Sequence, residues 1–291
     1  MTIDYNALKN LSIPDVEYRY TVKDTMLYAL GLGFGQDPMD PNQLRFVYEK
    51  NLRALPSFAT VMAYPGAWVR ELPTGLDWRM IVAGECSVTI HREIPIEGVL
   101  IGRNRVIGIT DKGRGKGAIV ASEKVLSDKA SGAPIATVVQ NFFCRGDGGY
   151  SEAPGQHSDP LQGDNPETPA GAPDASIDIV TRPEAALIYR LGSSDMNPLH
   201  ADPEGAKAVG FDRPILHGLA TFGVTCRGIV AACCDHDPAR LAAMSARFSK
   251  PVFPGETVRV EMWRQGSRVL FRALVPQRSV EVLSRGCAEL R

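Results

Sequence analysis

The chain has 291 residues, of which 44% are hydrophobic and 22% charged, and its formal net charge is −1. That length favours two units over one, and the composition is that of an ordinary globular protein. So small a net charge supplies no bulk field for nucleic acid or an anionic membrane surface, and an anionic ligand would have to be held by a local patch.

The opening residues MTIDYNALKNLSIP carry two acids and no apolar core, which speaks against a secretory signal. No apolar run approaches the roughly 20 residues of a membrane span, and the closing CAELR is not the peroxisomal Ser-Lys-Leu address. Six cysteines, at 86, 144, 226, 233, 234 and 287, show no CxxC spacing and read as reduced, mostly buried thiols. A cytoplasmic location is therefore expected. Cys233-Cys234-Asp235-His236 is not read as a zinc site, because adjacent cysteines rarely turn two thiolates toward one ion. No metal is expected.

Taken in order, Tyr18 to Gly33 carries a Thr21-x-x-Asp24 capping pattern and then a helical apolar rhythm. DPMDPN (37–42) is a turn cluster. Ala54 to Tyr64 is a short buried helix or strand, which periodicity does not separate. Cys86–Arg92, Val99–Thr110, Ala118–Leu126 and Pro134–Cys144 alternate apolar and polar residues between glycine-bearing turns, as an antiparallel sheet does. Gly146 to Pro173 is crowded with Gly, Pro, Asp and Ser and reads as a surface linker. It suggests units at 1–150 and 176–291 with a 151–175 linker between them.

The second unit repeats the programme. A short helix is expected from Thr181, with Pro183 in its first turn. Leu219, Phe222, Gly223, Cys226, Ile229, Val230 and Cys233 recur as the buried face of a longer helix. Strands follow over 247–250, 257–263, 269–275 and 280–290. LYALGLGFGQDPM (27–39) aligns loosely with LIYRLGSSDMNPL (187–199). Setting Tyr28 against Tyr189 places Phe34 opposite Asp195 and Met39 opposite His200, so the halves look duplicated with the polar residues in the second copy alone.

Asp195, Asn197 and His200 surround an Asn-Pro turn. A carboxylate and an imidazole at that spacing can hold one water and take its proton. The same spacing serves an Asx-turn cap beside a surface histidine equally well. His217-Gly218 opens the longer helix, where unpaired N–H groups can polarise a carbonyl oxygen and glycine allows close approach. The glycine patterns do not make a nucleotide site: Gly31-x-Gly33-x-Gly35 follows a helix signal, and KGRGKG (112–117) lacks the phosphate-loop Ser or Thr. No Gly-x-Ser-x-Gly elbow is present.

At Asp195–His200 the sequence resembles the 2-enoyl-CoA hydratase 2 family, the (R)-specific MaoC-like hydratases. Tyr189, Ser193, Asp195, Asn197-Pro198, Leu199, His200 and Ala206 match its motif, and Ser194 stands where glycine is usual. The likeness extends through FVYE (46–49), LPSF (55–58), FFCRGDGG (142–149), PILHG (214–218) and RFSKPVFPGE (247–256). The resemblance implies an α+β double hot-dog, two curved antiparallel sheets each wrapping a central helix, and hydration of trans-2-enoyl-CoA to (R)-3-hydroxyacyl-CoA. Asp195 and His200 would activate the water, Asn197 would orient them, and the Gly218 N–H would receive the thioester oxygen. Phe34 and Met39 would line room for the acyl chain, His217 would contact substrate, and Arg145 and Lys250 would meet CoA phosphates. No cofactor is implied beyond the CoA thioester itself, and a homodimer is expected. The competing readings are a dehydratase acting on acyl carrier protein, a hot-dog thioesterase and a non-catalytic acyl-CoA-binding module.

Overall fold

The computed structural model describes residues 3–161, 163 and 165–291. Its strands are β1 (Val16–Tyr20), β2 (Ile81–Ile90), β3 (Gly98–Asp111), β4 (Ala118–Asp128), β5 (Pro134–Cys144), β6 (Ala175–Val180), β7 (Leu241–Phe248), β8 (Thr257–Gln265), β9 (Arg268–Val275) and β10 (Val280–Leu290). The α-helices are α1 (Tyr5–Lys9), α2 (Val22–Gly31), α3 (Pro41–Leu44), α4 (Trp68–Glu71), α5 (Ala185–Ser193), α6 (Pro203–Ala208) and α7 (Gly218–Cys233).

The strand order is β1-β3-β4-β5-β2-β7-β10-β9-β8-β6. Read outward from the middle, the two halves have one plan: β1 to β5 on one side are answered by β6 to β10 on the other. All the pairs are antiparallel, and β2 joins β7 with Val88 opposite Met244. The two expected sheets are thus fused edge to edge into one, and neither inner edge is left open. This is the double hot-dog architecture.

The halves differ in what the sheet wraps. In the second, α7 is buried on nearly every side, with Phe222 and Ile229 fully excluded from solvent. Each such side chain stabilises the fold by about 1.5–3 kcal/mol. In the first, a single 3-10 turn, Pro56–Thr60, stands in that position and packs on α7. The expected central helix is a long α-helix in the second half, and in the first its place is taken by this 3-10 turn. The 54–64 segment left undecided above is this turn; Pro65-Gly66 follows it at once and no apolar periodicity carries a helix onward.

Helices α2 and α5 cross at the junction of the halves. A Cβ added to Gly31 would lie 2.7 Å from the Tyr189 Cα, and one added to Gly192 would lie 2.8 Å from the Tyr28 Cα. The contact is reciprocal under the Tyr28–Tyr189 alignment, which also sets Gly31 against Gly192. The capping pattern at α2 is real, since the Asp24 carboxylate accepts from the Thr21 N–H at 2.8 Å. Val16–Tyr20, however, is a strand and not part of that helix. Helix α5 begins at Ala185 and not at Thr181, whose hydroxyl donates to the Glu256 carbonyl at 2.7 Å. Strand β7 starts six residues before the expected 247.

The described residues of the 146–173 stretch run over the surface but are tied down. The Asp159 carboxylate accepts from Ile109 N–H, Lys9 Nζ and Tyr5 Oη at 2.6–2.9 Å, and the stretch's own Tyr150 is buried with its hydroxyl donating to the Ile109 carbonyl at 2.9 Å.

Candidate active site

Helix α5 stops at Ser193, and Ser194 turns the chain with φ 59°. That is the left-handed region, where an L side chain costs about 1–2 kcal/mol. Asp195 comes next. The Asn197 side chain then accepts from the Leu199 N–H at 3.1 Å and caps the 3-10 turn Pro198–His200. The Asn197 N–H donates to the Asp195 carboxylate at 3.1 Å. One turn thus holds both the carboxylate and the imidazole.

His200 is 8% exposed, and its Nδ1 lies 2.9 Å from the Ile215 carbonyl. A carbonyl only accepts, so Nδ1 carries the proton and Nε2 presents its lone pair. His217 is 1% exposed, and its Nε2 donates to the Asp195 carbonyl at 3.3 Å. Its Nδ1 is buried with no hydrogen-bond partner among the described residues. The two rings stack, with centroids 3.7 Å apart and planes 24° from parallel. Burial lowers the His200 pKa, against the Ile215 hydrogen bond and the charge of Asp195. Burial, followed by the neighbouring His200, pushes His217 down to about 4. Both rings are neutral near pH 7, as a proton-accepting His200 requires.

Gly218 is the first residue of α7, and its cap residue His217 lends no side chain to the free N–H groups there. Those groups and the helix dipole lie beside the histidine pair. A Cβ at Gly218 would sit 3.4 Å from the Phe248 ring, so a side chain would crowd this mouth. Segment 215–217 is held by the Leu216 N–H donating to the Val252 carbonyl at 2.8 Å.

Asp195, His200 and His217 offer ligand-type atoms within 4.8 Å of one another. An ion about 2.1 Å from each imidazole nitrogen should lie in both ring planes. Planes so nearly parallel meet far beyond that distance, so the trio suits a water better than a metal.

The remaining expected residues fall elsewhere. Phe34 is core, packed between Phe46 (4.5 Å) and the Arg227 guanidinium (4.7 Å). Arg227 lies nine residues into α7 from Gly218, about 14 Å along the axis, so Phe34 lines no space at the Asp195 cluster. Met39 is 84% exposed and lines none either; the turn DPMDPN carries it outward. Arg145 is exposed beside the Met80 carbonyl. Lys250 is exposed, two residues before Val252. Tyr64 was not anticipated. It lies close enough to Asp195 for that charge, after burial, to raise its pKa, and a tyrosine just past a buried apolar run gave no sign of this.

The doubled sheet, with a long buried helix and an acid–base pair at its mouth in one half alone, makes this a double hot-dog protein with a single site of hydro-lyase type. Residues 164–285 match the MaoC-like domain model and 18–146 the MFE-2 hydratase 2 N-terminal domain model. A Dictyostelium discoideum protein described as "Probable enoyl-CoA hydratase 2" is 39% identical over 99% of this chain and 97% of its own. "3-hydroxyacyl-thioester dehydratase Y" of Mycobacterium tuberculosis is 37% identical over 94% and 92%. The crystal structure of a MaoC-like dehydratase from Phytophthora capsici superposes with TM-score 0.86 at 32% identity, covering 99% of both chains. The chain belongs to the MaoC-like hydratase 2 family.

Proposed function

We propose that the protein catalyses reversible, (R)-specific hydration of trans-2-enoyl-CoA to 3-hydroxyacyl-CoA. The observation that carries this is the single turn that brings an Asp195 carboxylate oxygen and a His200 ring nitrogen within 4.8 Å of each other, next to the N-terminus of α7. In this reading the two groups hold a water, take one of its protons as its oxygen bonds to C3, and return a proton to C2. Electron density moves from the double bond onto the thioester oxygen, which the Gly218 N–H receives. Asn197 sets the Asp195 carboxylate through its N–H and caps the turn that carries His200. All atoms come from water and substrate, and no resident metal or redox group is needed.

The N-terminal half (1–150) then serves as the substrate-binding partner, 151–175 connects the halves, and 176–291 carries the chemistry. The confinement of the acid–base pair to the second half supports this division. Lys250 and Arg145, both exposed, are the two phosphate contacts of this reading. A homodimer belongs to the same reading, from the prevalence of two-fold assemblies, as does a cytoplasmic location, from six free thiols.

Loss of the conjugated-thioester absorbance of crotonyl-CoA tests the activity. Wild type should hydrate it, with Asp195→Asn and His200→Gln at least about a hundredfold slower. Normal rates in both variants would remove the assignment, and (S)-product would remove the stereochemical part. The likeness to a 3-hydroxyacyl-thioester dehydratase favours one second reading, the same site run in reverse on carrier-protein thioesters. A higher kcat/KM on acyl carrier protein than on CoA would select it.

A further inference from the structure

The acid–base pair and the Gly218 N–H belong to different segments of chain. Asp195 and His200 lie on the turn after α5, and Gly218 opens α7. Two imidazoles join these segments in opposite directions. His200, on the turn, donates from Nδ1 to the Ile215 carbonyl ahead of α7 at 2.9 Å. His217, on the α7 side, donates from Nε2 to the Asp195 carbonyl on the turn at 3.3 Å. Between these bonds the two rings stack, with centroids 3.7 Å apart. The result is a reciprocal clasp, in which each segment sends one ring across and receives one.

Histidine is an unusual choice for that place. The residue before a helix is commonly Ser, Thr, Asp or Asn, whose side chain caps the free N–H groups. The His217 side chain caps none of them and crosses to the turn instead. Its ring is 1% exposed and also meets the fully buried Tyr189 ring, with centroids 4.9 Å apart. Nδ1 is left buried with no hydrogen-bond partner among the described residues, and an unpaired buried acceptor is destabilising. A phenylalanine would fill the same space without that loss. What phenylalanine lacks is the Nε2 donor, and no other hydrogen bond reaches the Asp195 carbonyl among the described residues. Met196 and Asn197, which follow, are exposed. The Asp195 end of the turn is therefore tied to α7 through this one bond.

We infer that His217 is a positioning residue: through the Asp195 carbonyl and the His200 ring it sets the acid–base pair in register with the adjoining Gly218 N–H. The inference rests on the hydratase reading and gives His217 a role behind the reacting groups, in place of the substrate contact expected of it. Activation of the water and reception of charge at the thioester oxygen must take place in one geometry, and a misplacement of about 1 Å can cost about a hundredfold in rate. Because His217 directly precedes Gly218, one side chain registers the two groups against each other.

The test is kcat and KM on crotonyl-CoA for His217→Phe, which keeps an aromatic ring for the stack and removes the Nε2 donor. Its kcat should fall by about tenfold or more, while KM stays within about threefold because the groups that bind substrate remain. In an Asp195→Asn background the same substitution should cost about threefold or less, since the carboxylate it places is already gone. A residue needed only for stability would lose the same factor in both backgrounds. His217→Gln, which removes the ring, should lower kcat in the same direction and carries the test if His217→Phe does not fold. Wild-type kcat in the folded variant overturns the inference, as does a rise in KM at unchanged kcat or an undiminished loss in the Asp195→Asn background. Failure of wild type on crotonyl-CoA is the separate result that removes the hydratase reading and this inference with it.

Discussion

Replacing Gly31 or Gly192 by alanine probes the junction of the halves. The added methyl would lie 2.7 Å from the Tyr189 Cα in one case and 2.8 Å from the Tyr28 Cα in the other. Both neighbours are backbone atoms, so no rotamer change relieves the clash, and the helices must separate by about 1 Å to reach ordinary contact at 3.5–4.0 Å. Overpacking of this kind costs about 1–3 kcal/mol. Alanine returns at most about 1 kcal/mol of helix propensity, leaving a net loss of about 1–2 kcal/mol for each variant. For a chain of this size that lowers Tm by about 2–8 °C. The double variant should lose less than the sum, because one separation accommodates both methyls. Activity should discriminate further. Helix α5 leads into Asp195 three residues beyond Gly192, and displacement on this scale can cost up to about a hundredfold in rate. Gly192→Ala should therefore lose more kcat than Gly31→Ala for a similar loss of stability. Thermal unfolding and crotonyl-CoA kinetics measure the two effects. Either single variant melting at or above the wild-type Tm would refute the close crossing.

Two further expectations concern the site turn and its histidines. Ser194→Gly should relieve the left-handed strain, raise stability by about 1 kcal/mol and preserve kcat; a lower Tm would show that the serine side chain contributes more than its backbone costs. Burial holds His200 below the ordinary value of 6.5, and His217 sits at about 4. The unfolded chain therefore binds the more protons as pH falls from 6.5 toward 4, so stability is whole above about 6.5 and lost through that window. The acid limb of kcat/KM should likewise fall below 6.5, and a midpoint above it would contradict neutral, buried imidazoles.

Much of this was legible in the residues themselves. Val- and Ile-rich alternation marked β2 to β5 and β8 to β10, because a half-buried strand needs period two. The apolar recurrence from Leu219 to Cys233 marked α7. Asp195, Asn197-Pro198 and His200 were legible because one short turn makes all their mutual contacts. The Tyr28–Tyr189 alignment correctly paired Gly31 with Gly192, since a duplicated helix crossing repeats its own contact. What depends on residues distant in sequence was not legible. Only pairing of β2 with β7 could show one sheet in place of two, and only the packed interior could show that the short 54–64 segment is a 3-10 turn seated on α7. Phe34 was chosen for a chamber on its apolar character, but that character equally suits the core, and the stacking of Arg227 over its ring placed it there. His217 was expected at the helix mouth against substrate, but its contact with the Asp195 carbonyl, 22 positions away, needed the chain to fold back. Local sequence determines local geometry and its chemistry, whereas long-range packing decides which residues distant in sequence meet.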